Sequence, residues 1–490
     1  MKRIFTAFMM MLCAVCAASA ANYLTFTAEE DSSSFGIVHT GDNNPDVQYS
    51  LDDGATWTVL AGGDTVTLAH KGDKALLRGD NPEGFSKSRD QYSTFRMTGK
   101  VSASGSVMSL IDGTGLSTEI PNGYCFCRSF RSCTSITRAP ELPATTLTAF
   151  CYDAMFLGCT SLTQVPALPA TTLANYCYDG LFSGCTSLTQ APELPVVTLV
   201  GGCYYSMFSD CASLTQAPAL PATTLADSCY MYMFSGCTGL TQAPELPATT
   251  LASYCYYSMF KGCASLSQAP ALPATTLAHD CYKLMFEGCS SLTQAPELPA
   301  TTLDGNCYQY MFRGCTSLTK APELPATTLK YACYESMFSG CANLTEAPEL
   351  PATTLGAAYC YQSMFSGCTS LTETPDLPAV NLSSSCYHSM FSGCTSLTEA
   401  PDLPAVNLSS DCYRSMFSGC TNLAKAPKLP AMEMYRYCYA NMFSGCTSLT
   451  KAPKLPAVEL STSCYETMFQ GCVNLSEINA AHILWGKRNF

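Results

Sequence analysis

Histidine is scarce in this chain of 490 residues: His39, His70, His279, His388 and His482 are the only five, and none falls into an H-E-x-x-H or other paired ligand spacing. There is no phosphate-binding loop, no dinucleotide fingerprint and no G-x-S-x-G elbow, so the sequence offers no catalytic or cofactor motif. His279-Asp280-Cys281 sets a base beside a thiol, but Cys281 occupies a position that recurs as cysteine throughout the chain, which marks it as structural. Basic residues are outnumbered 25 to 38 by acidic ones, which excludes a nucleic-acid footprint. Charged residues make up only 13% of the chain against 47% apolar, enough to bury a large core and too little charge for a disordered chain.

Long apolar runs are also missing, except at the start. Residues 1–20 place Lys2 and Arg3 ahead of an apolar stretch that closes on Ala18-Ser19-Ala20, the pattern of a secretory signal peptide cut after Ala20. The stretch is shorter than the roughly 20 residues a membrane span requires, and Cys13-Ala14-Val15 ahead of Cys16 resembles a lipobox poorly. Without Lys2 and Arg3, 23 basic residues face 38 acidic ones, a net charge of −15. No transmembrane segment is expected in the rest.

What the chain has in abundance is cysteine at a fixed interval. From residue 125 a pattern written CYxxMFxGCxSLTxAPxLPATTLxxx recurs every 26 residues. Its first cysteine stands at 125, 151, 177, 203, 229, 255, 281, 307, 333, 360, 386, 412, 438 and 464, with one residue inserted between Gly356 and Tyr359, and its second stands eight later each time. Periods of this length signal stacked units, each too small to bury its apolar face alone. In the unit around Cys255, Met259 and Cys263 follow at i+4 and i+8 with Phe260 alongside, which predicts one stripe of a short helix ended by Gly262. Pro270 and Pro273 predict an extended arm whose ladder to the next turn is short and interrupted. The expected fold is an α/β repeat solenoid of about fourteen turns, a short strand and a short helix in each, over residues 119–478.

A helix would separate the two cysteines of one turn by about 12 Å and neighbouring first-column cysteines by about 8–10 Å, both beyond disulfide reach. The second column lies nearer the strands, where turns approach about 4.8 Å and a sporadic disulfide stays open. The preferred expectation is two ladders of buried thiols, represented by Cys151, Cys159, Cys177, Cys185, Cys255 and Cys263, packed with Met259 and Phe260 as core. A metal site needs closer clustering, and Cys125 with Cys127 is the only close pair after the leader, so no metal or cofactor is expected.

With their F-x-x-C-x-x-L core and a proline after the strand, these turns resemble the BspA-like leucine-rich repeats of bacterial surface proteins over about residues 120 to 480. The resemblance implies a solenoid that serves in surface adhesion or host interaction. Cys-Tyr in the first segment and APxLP in the arm depart from the family pattern and leave any inherited ligand open.

Residues 21–118 have no period and predict a small all-β sandwich-like domain with strands near 23–27, 47–51, 56–60, 65–69, 74–78 and 93–98. Its Ser50-Leu-Asp52-Asp-Gly54-Ala-Thr56-Trp57 hairpin matches the S-x-D-x-G-x-T-W box found in several copies in sialidases. A single copy argues for a turn in which Asp52 bonds the backbone, Gly54 supplies positive φ and Trp57 plugs the core. The domain reads either as a carbohydrate-binding module or as a cap for the first repeat. Residues 479–490 read as a C-terminal cap or a truncated end.

In a solenoid the variable columns read the partner. Flanking Ala-Pro, they run acidic through Glu346, Glu349, Glu373, Asp376, Glu399 and Asp402, then basic through Lys425, Lys428, Lys451 and Lys454. Tyr205, Tyr232 and Tyr257 form a second candidate surface, read either as rings that stack on sugars if exposed or equally as lateral packing between helices. The chain therefore reads as a monomeric secreted or cell-surface interaction protein for a host or bacterial protein or glycan. The first alternative is a carbohydrate-binding protein with its specificity in the β domain, and the second is a secreted hydrolase. Secretion from a bacterial host should release a chain beginning at Ala21, read by N-terminal mass spectrometry; retention of Met1 would contradict the leader.

Overall fold

A computed structural model describes residues 21–457 and 459–478, so the expected leader with its Ala20 junction and the expected cap at 479–490 lie outside the described residues. The described residues divide into two compact units, one running through Thr172 and one beginning at Leu173.

In the first unit, alternating apolar and polar residues form strands β1 (Leu24–Ala28), β2 (Ser33–His39), β3 (Gln48–Ser50), β4 (Thr58–Val59), β5 (Thr65–Leu68), β6 (Lys74–Arg78), β7 (Ser93–Thr98) and β8 (Val101–Ser104), then helix α1 (Ser109–Asp112) and strand β9 (Ile136–Arg138). One sheet has the order β4-β3-β6-β1-β8-β9 and the other β5-β2-β7. Phe26 of the first sheet meets Phe35 and Phe95 of the second edge-on, each at 5.2 Å between centroids. Six strands lie where alternation predicts them; β2 and β8 do not. In β2 the run SSFGIVH lacks clean alternation, and Gly36 is there because a Cβ would come within 2.2 Å of the Asp64 carbonyl oxygen.

The hairpin between β3 and β4 is held by its own side chains. Asp52 Oδ1 accepts from Ser50 Oγ at 2.7 Å and from the Thr56 amide at 2.9 Å, while Oδ2 accepts from Thr56 Oγ1 at 2.6 Å. Gly54 takes φ 93°, the left-handed value expected of it. Trp57 departs from expectation: it does not plug the core but lies half-buried at the surface, 5.1 Å from the Tyr23 ring and under the Arg78 guanidinium at 4.1 Å. Its Nε1 donates to the Gly54 carbonyl, which turns the indole back over its own turn.

The β region also closes the start of the repeats. β8 pairs in parallel with β9, the arm of the first repeat, through Val101 and Ile136. The amides of Ser86 and Phe95 donate to the Cys125 and Ser129 carbonyls at 2.8 Å each. Arg89 grips the buried Asp153 with two 2.9 Å bonds, and Cys127 Sγ donates to the same carboxylate at 3.2 Å. That contact gives the odd cysteine of the first repeat a partner.

In the second unit the repeats stack as a solenoid, but the expected short helices are not there; among the described residues the only helix is α1, in the first unit. The segment from Tyr254 to Cys263 is a string of tight turns in which every fourth residue is left-handed: Tyr254 (φ 58°), Ser258 (φ 52°) and Gly262 (φ 73°). Its amides alternate in purpose. Those of Cys255, Tyr257, Met259, Lys261 and Cys263 donate three residues back within the turn. Those of Tyr254, Tyr256, Ser258, Phe260 and Gly262 donate to the carbonyls of His279, Cys281, Lys283, Met285 and Glu287 in the next turn. A left-handed residue other than glycine costs about 1–2 kcal/mol, and the inter-turn bonds with the burial they permit offset it.

The extended arms touch at isolated parallel pairs, such as Gln242 with Gln268 and Thr276 with Thr302, one on each side of the Ala-Pro-x-Leu-Pro stretch. Near the inserted residue the contact lengthens into a short parallel pair, β10 (Thr354–Leu355) with β11 (Asn381–Leu382). The register survives the insertion, since Tyr334 still donates to Cys360 and Tyr361 to Cys386.

Two outcomes follow. Phe260→Ala should weaken its own and the adjoining turns by about 3–5 kcal/mol, seen as faster hydrogen exchange of the amides between residues 234 and 286 and little change beyond. The three bonds from Thr56 and Ser50 hold Asp52 down to about 2. Because this folded value lies below that of the unfolded chain, the contribution is complete above the unfolded value and disappears as pH falls through about 2. NMR titration should place the Asp52 midpoint there, and Thr56→Val should raise it.

Candidate binding surface

Each turn sorts its residues by the fourfold rhythm of the tight turns and by the prolines of the arm. Cys151, Cys159, Cys177, Cys185, Cys255, Cys263, Met259 and Phe260 have no exposed surface. Within the second unit the rings of Phe234, Phe260 and Phe286 stack at 5.7 Å, and those of Tyr230, Tyr256 and Tyr282 at 5.9 and 5.8 Å. The second-column thiols have a defined partner: Cys159, Cys237 and Cys263 donate to the carbonyls of Phe130, Phe208 and Phe234 one turn earlier, at 3.0–3.1 Å.

Direct bonding between turns corrects the expected cysteine spacing. First-column neighbours are one strand spacing apart, about 4.8 Å, and not the 8–10 Å of packed helices. Distance between Cα atoms therefore does not keep them from bonding. In-register stacking points both Cβ atoms the same way at about that spacing, wider than the mean of about 3.8 Å in a disulfide. None of the 29 cysteines among the described residues is in a disulfide. Burial pushes the Cys177 thiol up to about 12 and that of Cys263 well above its usual value, so neither carries a thiolate at neutral pH. The same holds for Cys281: His279 Nδ1 pairs with Asp280 Oδ2, but the adjacent thiol is fully buried and raised by burial. No base and nucleophile meet there.

The ten charged residues of the arm are all exposed: Glu346, Glu349, Glu373, Asp376, Glu399, Asp402, Lys425, Lys428, Lys451 and Lys454. They form two columns on either side of Ala-Pro, whose proline is buried, as in Pro348, Pro375 and Pro401. The sign changes are bridged between turns, Lys320 Nζ to Glu346 Oε2 and Lys425 Nζ to Glu399 Oε2, both at 3.6 Å. These pairs are more than two-thirds exposed on both sides and contribute little to stability. Between Glu346 and Glu373 lies an open groove of about 430 Å³ lined by Thr345, Ala347, Thr372 and Thr374, and a similar one of about 450 Å³ runs between Pro296 and Pro322.

Sequence reasoning missed two features. The Arg89–Asp153 bridge joins positions 64 residues apart with no periodic signal. The polar cluster of Lys261, Asp280, Lys283, Glu287 and Arg313 arises because their variable columns become neighbours on the turn segment. Among the described residues there is no group of three side chains suited to a metal and no helix long and apolar enough to cross a membrane.

A family model described as BspA type leucine-rich repeat region, in six copies, matches residues 124–241, 151–293, 204–345, 283–424 and 383–484. No curated protein and no solved structure matches the chain.

The buried thiols give a direct readout. The folded chain should take up almost no iodoacetamide, while in denaturant 29 cysteines of residues 21–490 should be alkylated without reductant. An added mass that appears only after reduction would show disulfides instead.

Proposed function

Because the chain belongs to the BspA-type leucine-rich repeat family, whose members are associated with the bacterial surface and adhesion, we propose that it is a secreted or cell-surface binding protein that engages a charged protein partner through the arm columns. The observation that carries this reading is the pair of exposed columns in which six acidic residues give way to four lysines. They stand on arms that touch at isolated pairs such as Lys320 with Glu346 and Glu399 with Lys425 and that join turn segments bonded to the next turn, so their spacing is set before any partner arrives. Like charges stacked about 4.8 Å apart reinforce one another and steer a partner of complementary pattern. Preorganisation matters because ordering a flexible surface on binding would consume affinity.

The β region supports this reading as a cap: it supplies donors to the first repeat's open carbonyls, which a solenoid needs whatever it binds. The buried, protonated thiols favour a scaffold over a hydrolase.

Attachment of the purified full-length chain to immobilised extracellular-matrix proteins should fall by about tenfold or more between about 0.05 and 0.5 M salt. Changing Lys425, Lys428, Lys451 and Lys454 to Glu should abolish it while leaving the fold intact. Undiminished attachment by that variant would refute the role of the columns.

A further inference from the structure

The turn segments of the second unit carry a run of aromatic rings that the core does not use. Tyr176, Tyr205, Tyr232 and Tyr257 are half-buried and come from successive turns; Tyr254 beside them is 36% exposed. Their centroids follow one another at 6.1 Å (Tyr176 to Tyr205), 5.8 Å (Tyr205 to Tyr232) and 5.3 Å (Tyr232 to Tyr257), and the run turns through Tyr254 to His279 at 6.0 and 5.8 Å. The buried tyrosines of the same turns stack within about 13° of parallel, whereas these rings are tilted 46–70° to their neighbours. The result is a corrugated strip of half-buried rings.

At its Tyr257–His279 end the charges are already matched. Lys283 Nζ lies 3.1 Å from Asp280 Oδ1 and 5.7 Å from the centre of the Tyr257 ring, and Asp280 also pairs with His279. Lys261 and Arg313 flank Glu287 at 2.8 and 3.7 Å. An anionic or cationic ligand would have to break these pairs to find a partner. A membrane surface would require an unmatched basic excess. What the strip offers is aromatic surface beside neutralised polar groups and phenol hydroxyls. Burial raises Tyr232 and Tyr257 above their ordinary values, so both stay protonated and can donate as well as accept.

We infer that the strip from Tyr176 to His279 binds a neutral oligosaccharide. A pyranose has an apolar C–H face that packs on an aromatic ring and a rim of hydroxyls that bond to matched carboxylate, imidazole and phenol groups. Successive turns set the rings at a step close to the length of one sugar unit, so a chain lying across the turns meets a ring at each unit. The strip belongs to the turn segments and the charged columns to the arms, so the two surfaces can be disabled separately.

The full-length chain should be applied to a glycan array bearing neutral, sialylated and sulfated oligosaccharides, and its best neutral ligand measured by calorimetry. Retention of neutral glycans is expected, with an affinity that changes less than about twofold from about 0.05 to 0.5 M salt. Changing Tyr205→Ser, Tyr232→Asn and Tyr257→Ser together should weaken it at least tenfold; asparagine suits position 232 because the backbone there is left-handed. Should that variant fail to fold by circular dichroism, Tyr254→Asn alone should weaken the ligand and Tyr254→Phe should preserve most of its affinity. Reversal of the four lysines should leave glycan binding unchanged. No neutral glycan retained by the folded chain, retention confined to anionic glycans and lost in salt, or full affinity in a folded tyrosine variant would each overturn the inference.

Discussion

Everything in the repeat region rests on one requirement: half the amides of each turn segment have no acceptor in their own turn and must find one in the next. Tyr256, Phe260 and Gly262 donate to Cys281, Met285 and Glu287 of the next turn and not backwards, in a segment whose residues 254, 258 and 262 are left-handed. An isolated repeat would leave these donors and its apolar rings open to water, so a turn gains its bonds and its burial only from its neighbours. The bonds between turns also set the ring stacking, the thiol contacts to phenylalanine carbonyls and the spacing of the surface columns. Core and surface are therefore consequences of the same ladder.

The stacking and the sorting of residues were legible in the sequence, because the 26-residue period repeats too often to arise by chance and the prolines mark the arm. The local conformation was not. Cysteine, methionine and cysteine at 255, 259 and 263 suit a helix of 3.6 residues per turn only approximately, and they suit a rhythm of four without drift. The distinguishing signal was present: glycine fills the Gly262 column in twelve of the fourteen turns, and serine or glycine the Ser258 column in seven, residues that tolerate turns and left-handed backbone better than a helix interior.

The candidate surfaces show the same division. That Glu399 and Lys425 are exposed could be read from their place beside Ala-Pro, and they prove to be paired across the turn boundary. That Tyr254, Tyr257, His279 and Lys283 share one patch could not, because it depends on the three-dimensional neighbourhood of columns offset by three or four positions. The Arg89–Asp153 bridge lies further out of reach, since neither residue belongs to a pattern. Trp57 differs in the opposite sense: a large aromatic in a β hairpin predicts a core plug, whereas its indole covers its own turn by donating to the Gly54 carbonyl.

Wherever amides of a turn segment bond to another turn, they point from an earlier turn toward a later one, as in Phe126 to Cys151 and Phe443 to Met468. Their dipoles add instead of cancelling. Within each unit the stack has a polarity like that of a helix but reversed along the chain, with partial negative charge toward earlier turns and partial positive charge toward later ones. Carbonyls face backward, so whatever precedes the first turn has to supply hydrogen, which is what Ser86 and Phe95 do. Whatever follows a turn has to supply oxygen, and the two roles cannot be exchanged.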